Sequence, residues 1–140
     1  MPDRLFQGRI PRQLRSVDFL VLAAPESPQT TNIINAGRVS LLRSSAVVIN
    51  VGRGSLIDES ALASALATGA LRGAALDVFA REPLPVDSPL WSLPNVIISP
   101  HSASTVAAEN PRLVDLFVDN LGRYLDGRPL LNRFDHSPPG

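Results

Sequence analysis

Four short apolar runs, separated by segments with helical spacing, constrain this chain more than any other feature. Phe19-Leu20-Val21-Leu22-Ala23, Ala46-Val47-Val48-Ile49, Gly73 to Asp77, and Val96-Ile97-Ile98-Ser99 each have the length and content of a buried strand. Pro25 stops the first run, and Asn50, Gly52 and Gly54 stop the second. Between them, Asn35 to Leu42 reads as a short helix with Asn35 as N-cap. Asp58 is placed to cap a second helix over Glu59 to Thr68, with Gly69 ending it. Leu113, Phe117, Leu121 and Tyr124 recur at helical spacing and predict a helix from about Arg112 to Asp126, which Pro111 should start or kink. Strands apolar on both faces, alternating with helices, predict an α/β fold: a parallel sheet covered by helices on both sides.

Composition agrees with a folded domain. The 140 residues are 44% hydrophobic and 19% charged, too apolar for disorder and enough for one core. Thirteen basic and thirteen acidic residues cancel, so no net field draws in a nucleic acid or an anionic membrane. There is no cysteine, which excludes disulfides, thiolate metal sites and cysteine nucleophiles. Two histidines give no basis for a histidine-rich metal site. Residues 1–16 carry Arg4, Arg9, Arg12 and Arg15 without an apolar stretch, unlike a secretory signal. No run is long enough to span a bilayer, and a cytoplasmic protein is the expectation.

In open parallel sheets the ligand crevice lies beyond the carboxyl ends of the strands. Beyond the first run stand Ala24 and Pro25, and beyond the second Asn50-Val51-Gly52-Arg53-Gly54. The third ends in Asp77 and the fourth in Pro100-His101. Arg53 lies between two glycines, where the backbone can approach a ligand and a planar fork of donors can grip a carboxylate; it also reads as a surface arginine on a tight turn. His101, after a strand and a proline, can exchange a proton near neutral pH, or cap a helix. Glu82 lies five residues beyond Asp77. If it reached His101 it would favour the imidazolium; alone it is a solvated loop carboxylate. Asp77 can accept a hydrogen bond from a ligand amide or cap a turn. Gly52-Arg53-Gly54 begins like a dinucleotide fingerprint, but Ile57 stands at the third glycine position, and no other glycine trio has that spacing.

The order of these pieces is more specific than any one of them. Pro25-x-x-Pro28-x-Thr30, Leu41-Leu42-Arg43, Ile49-Asn50-Val51-Gly52-Arg53-Gly54-Ser55-Leu56-Ile57-Asp58, Gly73-Ala74-Ala75-Leu76-Asp77-Val78-Phe79, Glu82-Pro83-Leu84-Pro85 and Leu90-Trp91-Ser92-Leu93-Pro94-Asn95-Val96-Ile97-Ile98-Ser99-Pro100-His101 follow in register. Together they resemble the D-isomer-specific 2-hydroxyacid dehydrogenases, from about Asp18 to Asn132, with details similar to the glyoxylate and hydroxypyruvate reductases. The resemblance implies a partial Rossmann-like, doubly wound parallel sheet with flanking helices, lacking the first βαβ unit with its glycine turn. Residues 1–17 would be a remnant leader, 18–131 the partial NAD(P)-binding domain, and 132–140 a flexible tail. It implies NAD or NADP as cofactor and a small 2-oxo or 2-hydroxy acid as substrate, and it is compatible with a homodimer.

The same resemblance assigns roles. Arg53 would bind the substrate carboxylate and carbonyl oxygen, His101 would protonate that oxygen, and Glu82 would hold His101 in its charged form. Asp77 would lie near the nicotinamide carboxamide. Ala24, Pro25, Thr30, Val51 and Gly52 would line the dinucleotide together with Arg53 and His101. Two other readings stay open: a truncated, non-catalytic domain serving dimerisation or binding, and a nucleotide-sensing protein like the carboxyl-terminal-binding-protein corepressors.

Overall fold

The four apolar runs form four strands: β1 (Phe19–Leu22), β2 (Val47–Asn50), β3 (Gly73–Leu76) and β4 (Val96–Ile98). They make one parallel sheet in the order β1-β2-β3-β4. The computed structural model describes residues 13–103, 105–106 and 109–133. Arg4, Arg9 and Arg12 and most of the expected flexible tail lie outside the described residues. The chain divides into two units, residues 1–103 and 104–140.

Within the first unit, helix α1 (Ala36–Val39) joins β1 to β2 and helix α2 (Glu59–Ala67) joins β2 to β3. Their starts are where the capping residues place them. The Asn35 side chain accepts from the Arg38 N–H, and Asp58 accepts from the Ala61 N–H. α2 stops at the Thr68 cap, and Gly69 follows with φ of 72°, a left-handed conformation that glycine adopts without strain. α1 is shorter than its pattern, which extended to Leu42.

Every crossover steps the same way across the sheet, and parallel crossovers are right-handed, so the connecting helices fall on one side. On that side Leu22, Val48, Ala74 and Leu76 pack with Val39, Leu62 and Leu66 in the buried core. Each large side chain buried there contributes roughly 1.5–3 kcal/mol. Strand alternation sends their neighbours to the opposite face, where Val21, Ile49, Ala75 and Ile97 form one row in register. Val21 and Ile97 at its two ends are exposed, as is Phe19. Among the described elements of this unit, the two connecting helices cover the first of these faces.

The second unit is built on helix α3 (Glu109–Leu125). It begins three residues before the predicted start at Arg112. Pro111 falls in its first turn, where a proline is tolerated because it has no N–H to place. Leu113, Phe117, Leu121 and Tyr124 are exposed along it. No helix among the described residues is long and apolar enough to cross a membrane.

Candidate functional site

The rim beyond β2 is built around a buried asparagine. Asn50 is fully buried; its amide donates to the Arg53 carbonyl at 2.9 Å and its side-chain oxygen accepts from the Gly52 N–H at 3.2 Å. These bonds close the turn that presents Arg53. The flanking glycines have a structural cause that spacing alone did not show. A Cβ on Gly52 would lie 2.8 Å from both the Ala24 carbonyl oxygen and a Leu56 methyl carbon. One on Gly54 would lie 1.9 Å from the carbonyl carbon and oxygen of Phe79. Gly52 therefore lets the β2 rim meet the β1 rim at Ala24, and Gly54 lets it meet the segment leading to Glu82.

Arg53 itself is exposed, with Nη1 donating to the Gly52 carbonyl at 2.7 Å. Its charge reaches Glu82. Glu82 is held at both oxygens: Oε1 accepts from the Phe79 N–H at 2.9 Å, and Oε2 pairs with His101 Nδ1 at 2.8 Å. The His101 hydrogen bond, then the Phe79 amide, and the charges of His101 and Arg53 keep the Glu82 carboxyl below the usual carboxylate range against the effect of its burial. Both members of the pair are partly open to solvent. With Nδ1 turned to the carboxylate, Nε2 is the ring atom left to exchange a proton with a ligand.

Asp77 is almost fully buried. Its carboxylate accepts from the Ser99 hydroxyl, from the Ser102 N–H at 2.8 Å and from the Ala103 N–H at 2.8 Å. Burial would push its pKa up, but these bonds and the nearby His101 outweigh it and hold the group low. A cleft of about 610 Å³ opens beside the pair, walled by Phe79, Leu84, Trp91 and Ile98 with Glu82 and His101 at its edge.

The fold therefore brings Arg53, Glu82, Asp77 and His101 to neighbouring points on the carboxyl-end rim, as their sequence positions implied. Ala24 and Val51 follow adjacent strands, with Val51 exposed and Gly52 offering no side chain between them. The sequence holds no Gly-x-Gly-x-x-Gly turn of the kind that seats a pyrophosphate. Thr30 is engaged locally: its hydroxyl donates to the Pro25 carbonyl and accepts from the Ser27 N–H, each at 2.8 Å. Asn50 and Ser99 were not singled out as site residues. A polar residue closing an apolar strand, two positions before a glycine, was the one available signal for Asn50.

A parallel α/β sheet with its polar side chains gathered at the carboxyl ends of the strands has the architecture of the nucleotide-binding α/β domains. The family description "D-isomer specific 2-hydroxyacid dehydrogenase, NAD binding domain" matches residues 6–103, and the chain belongs to that family. It is 45% identical over 114 residues to glyoxylate/hydroxypyruvate reductase B of Yersinia enterocolitica, covering 81% of this chain and 35% of that protein. It is 42% identical over 126 residues to hydroxyphenylpyruvate reductase of Plectranthus scutellarioides, covering 90% of this chain and 40% of that one. Among solved structures, a D-isomer specific 2-hydroxyacid dehydrogenase from Xanthobacter autotrophicus Py2, in complex with NADPH and MES, superposes with a TM-score of 0.83 at 40% identity. That match covers 90% of this chain and 51% of the other. The chain thus spans between about a third and a half of the length of these relatives.

Proposed function

We propose that this domain serves an NAD(P)-dependent oxidoreductase that interconverts a small 2-oxo acid and the corresponding 2-hydroxy acid. The observation that carries the reading is the 2.8 Å pairing of His101 Nδ1 with Glu82, with the Arg53 charge acting on the same carboxylate. The bound dinucleotide supplies a hydride; the residues of this chain bind, orient and move the proton. Arg53 grips the substrate carboxylate and polarises the carbonyl oxygen. His101 gives that oxygen a proton from Nε2 during reduction and takes it back during oxidation. Glu82 fixes the ring and stabilises its protonated form while the proton is held there. Ala24, Pro25, Thr30, Val51 and Gly52 form the rim against which the nicotinamide end would rest.

The names of the similar proteins, reductases of glyoxylate, hydroxypyruvate and hydroxyphenylpyruvate, support the substrate class. The test is turnover of glyoxylate and hydroxypyruvate with NADH and NADPH by the protein that carries this domain. His101→Ala is expected to lower kcat by roughly 10²–10⁴, and Arg53→Ala to raise KM and lower kcat together. Undiminished turnover in both variants would remove the reading.

A further inference from the structure

We infer that Asp77 is a positioning residue, one that clamps the loop carrying His101 so that the imidazole meets Glu82. Four hydrogen bonds run from Asp77 to the five-residue stretch 99–103. Its carboxylate takes the Ser99 hydroxyl and the Ser102 and Ala103 amides, and its own carbonyl accepts the His101 N–H at 2.9 Å. His101 itself has a φ of 52°. A side-chain-bearing residue holds that left-handed conformation only where its surroundings over-determine it. The bonds on either side of it, to Ser99 and Ser102, do so.

The clamp and its target share one origin. Asp77 follows β3 directly, and two residues later the Phe79 N–H holds Glu82. The end of β3 therefore fixes both halves of the His101–Glu82 contact, one through a buried carboxylate and the other through a backbone amide. Asp77 is buried, and the donors aimed at its oxygens, with the nearby His101 charge, make its own charge tolerable. The resemblance places Asp77 near the nicotinamide carboxamide. The geometry gives it a role that needs no ligand.

The test uses NMR on the whole 140-residue chain, with His136→Gln in the background so that one histidine reports. Asp77→Asn keeps the size of the side chain but turns an NH₂ group toward donors. It is expected to speed hydrogen exchange at the Ser102 and Ala103 amides by about tenfold or more and to erase the downfield Nδ1–H signal of the His101–Glu82 bond. The β2 amides should keep their protection. The Glu82 midpoint should rise toward the ordinary carboxylate range. That direction discriminates, because removing the Asp77 charge alone would relieve like-charge repulsion and lower it. The cations that lower the Glu82 midpoint are His101 and Arg53, and both remain.

Persistence of the Nδ1–H signal and of the low Glu82 midpoint in Asp77→Asn overturns the proposal. Loss of β2 protection in a variant that still folds overturns it too, since Asp77 would then be holding the sheet. If Asp77→Asn does not fold, Ser99→Ala decides. It keeps the charge, removes one donor, and should speed Ser102 exchange by roughly threefold; unchanged exchange refutes the clamp. The catalytic meaning of the clamp rests on the proposed dehydrogenase reading, but these readouts need no turnover. Failure of either leaves the other standing.

Discussion

Replacing Gly54 with alanine tests whether close backbone packing sets the spacing of the site. The added Cβ would lie 1.9 Å from the carbonyl carbon and oxygen of Phe79 and 2.4 Å from the Ala80 nitrogen. Carbon contacts settle near 3.5 Å, so the two backbones must part by roughly 1.5 Å. Overpacking usually costs about 1–3 kcal/mol when side chains can yield. Here the obstacle is main chain, held on one side by the Asn50 bonds to Gly52 and Arg53 and on the other by Glu82 and by Glu59, whose carboxylate accepts the Ala80 N–H. The upper end, about 3 kcal/mol or more, is therefore expected. For a unit of this size that corresponds to a Tm lower by roughly 12–24 °C. Far-UV circular dichroism melts measure it, with urea midpoints as a second reading. Gly37→Ala is the control: its Cβ would meet only the Asn35 side-chain oxygen at 3.5 Å, and alanine favours a helix. It should match the parent or exceed it slightly. A Gly54→Ala melt within about 4 °C of the parent, less than about 1 kcal/mol, would show that the contact does not constrain the site.

Two further outcomes follow from the caps and carboxylates. Asp58→Ala removes the acceptor for the Ala61 N–H and the Ser60 hydroxyl and should cost about 1 kcal/mol, read as a lower urea midpoint at constant slope; an unchanged midpoint contradicts the cap. Asp58, Asp77 and Glu82 all titrate below their ordinary values in the folded chain. Depressed carboxylates stabilise the fold above the unfolded-state pKa and lose that contribution as pH falls through the folded one. Urea midpoints should thus be flat at neutral pH and drop below about pH 4. The drop should be smaller in Glu82→Gln, and a midpoint that rises on acidification would contradict the assignment.

The contrast between α1 and α3 shows how far local pattern reaches. Asn35 and Asp58 start their helices because a side chain accepting from the N–H three residues on is a local event, readable from spacing. The start of α3 was misplaced because a proline is compatible with any position of a first turn, and spacing does not choose among them. Which face of the sheet each helix covers is not a local matter. Apolar strands imply cover on both faces, but the direction in which successive strands add decides which face each crossover covers.

The site divides in the same way. By itself the sequence determined the strands, their parallel arrangement and the rim on which Arg53, Glu82, Asp77 and His101 stand, because apolar runs and their breakers act over a few residues. Tertiary structure alone decided what joins them. Gly54 meets Phe79, Asn50 is enclosed, Asp77 takes bonds from Ser99, Ser102 and Ala103, and Glu82 closes on His101. All but the Asn50 turn link segments about twenty residues or more apart in the chain. Which donor meets which acceptor is settled only when β2, β3 and β4 lie side by side, since the strand register sets how far each loop projects.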